Sequence, residues 1–158
     1  MSFTLRTAVP GDFLAIAALD RIVWTGAHGR YIPDGEHVWR VWCEYAHVWV
    51  ADSPALPEGP WTPVAGAALT FPTTGGALFL HKLFVHPACA GLGIGTALLR
   101  AALDAADAPV LLTVDPANAR ALALYRTLGF TTRADIAGYY RPQEDRLLLE
   151  WCPPSIAG

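Results

Sequence analysis

The stretch from Leu83 to Leu99, LFVHPACAGLGIGTALL, constrains the fold more than any other part of this sequence. It runs from an apolar strand through His86-Pro87 into a turn where Gly91, Gly93 and Gly95 alternate, then directly into an apolar helix. Alternating glycines at the mouth of a helix serve one of two ends. They make a tight strand-to-helix turn, or they let the backbone approach a bulky anion such as a pyrophosphate, which the free amides and positive dipole of the helix start then attract. Two other phosphate-binding patterns do not fit. A nucleotide P-loop needs Lys-Ser/Thr after its last glycine, and Ile94-Gly95-Thr96 offers no lysine. A dinucleotide-binding unit places its glycines after the first strand, whereas this turn follows the fourth.

A second segment, VDPANARALALYRTLGF (Val114 to Phe130), predicts a strand end, a helix with Asp115 as N-cap and Pro116 at its first position, and Gly129 just past its end. On that helix Asn118, Leu122 and Tyr125 share one face, while Ala121, Leu124 and Leu128 share another and are the expected core contacts. A phenol in line with a polar amide can protonate a departing sulfur anion, the acid that acyl transfer from a thioester needs. The alternatives are a tyrosine capping the core and an asparagine making a local helix-start hydrogen bond.

Around these segments, hydrophobic periodicity predicts strands at Phe3–Val9, His47–Ala51, Val64–Phe71, Ala77–Val85, Val110–Val114, Phe130–Arg133 and Arg146–Trp151. Helices are expected after Asp12, at Glu36–Glu44, after the glycine turn to about Ala106, and from Pro116. Thr25–Gly35 and the proline-rich Asp52–Pro63 read as loops. The order β-α-α-β-β-β-α-β-α-β-β implies antiparallel hairpins in the first half and parallel pairing in the second, hence an α/β mixed sheet with helices on both faces.

A chain of 158 residues with 53% apolar and 16% charged residues belongs to a folded protein and is read as one domain, residues 3–152, with a short tail at 153–158. A net charge of −3 with scattered Lys and Arg carries no nucleic-acid footprint. No run is long enough to span a bilayer, and MSFTLRTAVPGD is not a secretory leader, so a cytoplasmic address is expected. Cys43, Cys89 and Cys152 lack metal-ligand spacing and read as free thiols, so no metal is expected.

The two segments together resemble the GNAT superfamily of acyl-CoA-dependent N-acyltransferases, and the resemblance covers about Phe3 to Trp151. It implies a mixed, mostly antiparallel sheet whose fourth and fifth strands splay apart to admit acetyl-CoA, the co-substrate. By that resemblance the backbone of Leu83, Phe84 and Val85 pairs with the pantetheine arm. The amides of Ala90, Gly91, Leu92, Gly93, Ile94, Gly95 and Thr96 hold the pyrophosphate, Asn118 contacts the coenzyme arm, and Tyr125 protonates the thiolate. Ala90 stands where the family usually has Gln or Arg, which implies weaker anchoring of the phosphates.

The attacking amine must first lose a proton. His81 and His86 are expected on one face of their strand, and the strand is similar to the histidine-bearing strand of arylalkylamine-type acetyltransferases, where the position of His81 belongs to a water-linked proton relay. Glu36 and Glu44 are rival bases. The acceptor pocket is expected to draw on Trp24, His28, Tyr31, Ile32, Asp34, Glu36 and Trp39, with Tyr139 or Tyr140 from the last hairpin. That set suits a small amine with an apolar body. Other readings are a protein or peptide N-acetyltransferase and a non-catalytic acyl-CoA sensor. A homodimer is also compatible with the resemblance.

Overall fold

The computed structural model describes residues 2–25 and 33–154. Its strands are β1 (Thr4–Thr7), β2 (His47–Asp52), β3 (Val64–Pro72), β4 (Leu78–Val85), β5 (Val110–Val114), β6 (Thr131–Ile136) and β7 (Arg146–Trp151). The helices are α1 (Phe13–Thr25), α2 (Glu36–Tyr45), α3 (Ile94–Asp104) and α4 (Ala119–Thr127), with 3-10 turns at Pro10–Asp12 and Pro87–Cys89. The expected order of strands and helices is the observed one. The seven strands form one sheet in the order β1-β2-β3-β4-β5-β7-β6. Pairing is antiparallel for β1–β2, β2–β3, β5–β7 and β6–β7, and parallel for β4–β5.

Two compact units share the chain: Met1–Thr70 with Lys82–Ala102, and Phe71–His81 with Leu103–Gly158. In the first, β3 is buried along Val64–Thr70, as a strand covered on both faces must be. Alternation along β4 explains how. Lys82 and Phe84 face one way, where Phe84 meets Trp39 of α2 edge-on at 6.0 Å. Leu83 and Val85 face the other way and pack against the buried cluster that includes Ile94 and Leu98 of α3. Gly66 permits that close packing, since a Cβ there would lie 3.0 Å from Ile94 Cγ2, 3.1 Å from Leu98 Cδ1 and 3.1 Å from the Phe84 carbonyl. Arg6 staples β1 to its neighbours, reaching Asp12 at 2.8 Å and Asp52 at 2.8 Å.

In the second unit β4 begins against β5, pairing Leu78 with Val110 and Phe79 with Leu111. A parallel ladder of two pairs is the short pairing that splayed strands produce. β5 then pairs along its whole length with β7, from Val110↔Trp151 to Val114↔Leu147. A register shift lies between Thr132 and Ala134 of β6.

Helix α4 starts three residues later than expected. Asp115 caps the turn before it, its Oδ1 accepting from Ala117 N–H at 2.9 Å, and Asn118 is the helix N-cap. The core face also differs. Leu122, at 8% exposure, is the buried residue of α4, while Ala121, Leu124 and Leu128 are half-buried. The face that carries Asn118 and Tyr125 is therefore the one anchored in the core.

Candidate functional site

The turn between β4 and α3 is built in three steps. His86 leaves β4, its N–H donating to the Ala65 carbonyl of β3 at 2.8 Å. The 3-10 turn Pro87–Cys89 follows and drops Cys89, 1% exposed, into the core beside Ile94 and Leu98. The chain then passes Gly91 at φ +78° and Gly93 at φ +83°, both exposed, with no atom within 4 Å of where a side chain would begin. Only glycine adopts these angles without strain. The first backbone bond of α3 reaches back from Ala97 N–H to Gly93 O at 3.0 Å, so the preceding amides lack an intrahelical acceptor. Amides at the start of an eleven-residue helix, bare of side chains, suit an anionic group. One expected contributor is already engaged: Ala90 N–H donates to Pro87 O at 3.3 Å, which closes the 3-10 turn and removes that amide from the free set.

On α4, Asn118 Oδ1 accepts from Ala121 N–H at 3.1 Å, so the local helix-start bond is real. The carboxamide nitrogen makes no hydrogen bond among the described residues, and the residue is exposed. Tyr125 lies seven residues on, its ring edge-on to Phe130 at 5.5 Å. Burial pushes its phenol up to about 12. The hydroxyl thus keeps its proton throughout the neutral range, as an acid must.

His81 sits in β4 beside Phe71, ring centroids 6.0 Å apart. It does not share a face with His86. Five positions separate them, an odd number, and β4 ends at Val85 before His86 is reached. The rival bases are engaged at the surface: Glu36 pairs with Arg21 at 3.6 Å and Glu44 with Arg40 at 3.1 Å.

Of the expected acceptor residues, Trp24 is half-buried at the end of α1. Tyr139 is 42% exposed on the β6–β7 hairpin, where it meets Tyr140 edge-on. Tyr31, His28 and Ile32 lie outside the described residues. Trp39 is a correction. At 0% exposure it is a core residue that no acceptor can touch, and its indole N–H donates to Asp20 Oδ2 at 3.1 Å.

That bond leads to a buried polar cluster. Lys82 Nζ, on β4, lies 3.0 Å from Asp20 Oδ1 of α1 and 3.1 Å from Asp34 Oδ2 just before α2. Asp34 N–H donates to Asp20 Oδ2 at 2.9 Å, and the ammonium stands 5.4 Å from the Trp24 ring centre. The cluster ties α1, the start of α2 and β4 together and brings Trp24, Asp34 and Trp39 to one place. Sequence reasoning named Asp34 but missed Asp20 and Lys82. The signal was there: Lys82 occupies the inward register of an apolar strand, and Asp20 falls one turn after Ile16 on the buried face of α1.

The Acetyltransferase (GNAT) family matches this chain over residues 16–130. The chain belongs to that family. Over 63 residues it is 46% identical to the N-alpha-acetyltransferase RimI of Mycobacterium tuberculosis (strain ATCC 25618 / H37Rv), a match covering 39% of this chain and 40% of that protein. Over 67 residues it is 43% identical to the mycothiol acetyltransferase of Parafrankia sp. (strain EAN1pec), covering 40% of this chain and 21% of that one. The chain thus spans about two fifths and one fifth of these curated relatives. Its fold matches that of yncA from Salmonella typhimurium, solved with its cofactor acetyl-CoA, at a TM-score of 0.76 and 21% identity, covering 100% of this chain and 98% of that one.

The matched span of the GNAT chain takes in both the glycine turn and α4, which are its two chemically distinctive segments. The thiols play no visible part: Cys43 and Cys89 are buried and Cys152 is exposed, all unpaired, and burial raises the Cys43 thiol to about 11. No helix among the described residues is long and apolar enough to cross a membrane. Among those residues, no group of three His, Cys, Asp or Glu is placed to hold a metal ion.

Proposed function

We propose that this protein transfers an acetyl group from acetyl-CoA to the primary amine of a small molecule in the cytoplasm. The observation that carries the reading is the glycine turn. In a GNAT chain, two glycines at positive φ open a row of uncapped amides to solvent at the start of α3. The residues fit a pyrophosphate, because the turn leaves open space at Gly91 and Gly93 beside amides that have no intrahelical acceptor.

Acetyl-CoA supplies the acyl group as an activated thioester. The amides from Gly91 to Thr96 hold its diphosphate, and the backbone of Leu83, Phe84 and Val85 aligns the pantetheine arm. Asn118, whose carbonyl oxygen is spent on the helix cap, offers its NH2 group to that arm. His81 takes the amine's proton through water, leaving a neutral nucleophile. Tyr125, uncharged at neutral pH, gives its proton to the departing sulfur. The amine attacks the thioester directly, and no residue of the chain carries the acyl group. Trp24, Glu36 and Tyr139 contribute to the acceptor side.

The RimI likeness favours a second reading, in which the acceptor is a protein N-terminus. Release of free thiol from acetyl-CoA, measured with arylalkylamines, polyamines, aminoglycosides, amino acids and N-terminal peptides, separates the two. Turnover confined to small amines supports the first reading, and turnover confined to peptides replaces it with the second. Saturable coenzyme binding without turnover on any of them makes the protein an acyl-CoA sensor.

A further inference from the structure

His86 is a buried imidazole that caps the 3-10 turn leading to the glycines, and the chemistry above does not use it. It is 7% exposed. Its Nδ1 accepts from Ala88 N–H at 3.0 Å, and its carbonyl accepts from Cys89 N–H at 2.8 Å. One face of the ring packs on Trp61, centroids 4.8 Å apart, and Trp61 is itself tied down by its indole N–H donating to Pro57 O at 2.9 Å. Nε2 is buried without a partner.

An imidazole that accepts at Nδ1 is neutral and carries its proton on Nε2. Protonation would turn Nδ1 into a second donor pointed at the Ala88 N–H and would place a charge under Trp61. The ring packs on Trp61 from the β2–β3 connection and bonds to Ala88 of the 3-10 turn, neither of them charged or titratable. Burial alone acts on its basicity and lowers it. The neutral ring therefore favours the folded turn, and the penalty appears as pH falls below the range of a free imidazole. One ring bond, to Ala88 N–H, and one backbone bond, from Cys89 N–H, connect His86 to the chain that continues into Gly91 and Gly93.

We propose that neutral His86 is a positioning residue for the acyl-donor turn: by accepting the Ala88 N–H it sets the path into Gly91–Gly95, so that its protonation loosens coenzyme binding. The inference rests on the assignment of that turn to the coenzyme made above. His86→Asn keeps a short side-chain acceptor and removes the titration, while His86→Ala removes both.

The test is calorimetric titration of CoA into the three proteins at pH 7.5 and pH 5.0, read as the ratio of variant to wild-type affinity because CoA itself ionises in this range. At pH 7.5 His86→Asn binds within about threefold of wild type and His86→Ala about fivefold more weakly. At pH 5.0 the wild type falls about fivefold or more relative to His86→Asn. Long-range proton–nitrogen NMR of the wild type, which needs neither ligand nor variant, shows the Nε2–H tautomer at pH 7.5 and an Ala88 amide shift that titrates with the ring. An Nδ1–H tautomer, or an affinity ratio independent of pH in a protein that binds CoA, overturns the inference alone. No binding of CoA by wild type at pH 7.5 removes the donor assignment and the inference with it.

Discussion

Tyr125 holds its proton more tightly than a free phenol because the ring is packed against Phe130 and the hydroxyl is poorly solvated. The expected consequence is kinetic. Tyr125→Phe keeps the packing and loses the acid, so kcat should fall by about 10²-fold with acetyl-CoA affinity changed by less than about threefold. A steady-state comparison with a direct binding measurement checks the split, and equal loss in both quantities would make Tyr125 a binding residue. Spectrophotometric titration provides a second check: one of the five tyrosines should ionise near pH 12, after the exposed ones. Lys82 poses a different residue-scale question. Replacing it with Met leaves the buried Asp20 carboxylate without its cation, and breaking a buried pair in this way costs about 3–5 kcal/mol. Denaturant unfolding should show a loss of that size, and a change under 1 kcal/mol would mean the cluster is not a structural tie.

At the scale of elements, the approach of α3 to β3 decides where the donor amides stand. Gly66 is the point of contact, and a methyl group there meets two core side chains and a carbonyl at 3.0–3.1 Å. Gly66→Ala should cost about 1–3 kcal/mol by overpacking, measurable as a lower denaturation midpoint. If the variant is as stable as wild type, α3 is free to shift and does not fix the turn. The Arg6 staple explains why the first strand is held. Burial alone would raise the Asp12 carboxyl, but the Arg6 guanidinium and the Val9 N–H outweigh it and hold the carboxyl below its usual range. A carboxylate lowered in the fold stabilises it above the unfolded value near 3.8 and loses that contribution as pH falls through the folded value. Acid unfolding should therefore begin at higher pH in Arg6→Met than in wild type.

For the molecule as a whole, the order of elements was legible because each carries its own local signal. Glycine pairs mark turns, β4 alternates, and α1 repeats Phe13, Ile16 and Leu19. Ends were less legible. The Asp115-Pro116 signal is a sound helix start, yet Asn118 wins the cap because Asp115 is spent on Ala117. The candidate site was proposed from sequence where local chemistry suggests it, at the glycines and Tyr125. It was not legible where partners are distant in sequence: Lys82 and Asp20 are 62 residues apart, and no local pattern joins them. Trp39 shows the same limit, since an aromatic on an amphipathic helix reads alike whether it lines a pocket or fills a core.

The most direct test of the central claim, that the glycine turn holds the coenzyme, is calorimetric titration of acetyl-CoA into wild type and Gly93→Val. A valine at φ +83° is strained and would project into the open space at the turn. The account predicts saturable one-to-one binding to the wild type and binding at least about tenfold weaker in a variant whose circular dichroism is unchanged. No binding to the wild type, or equal binding to both proteins, would contradict it.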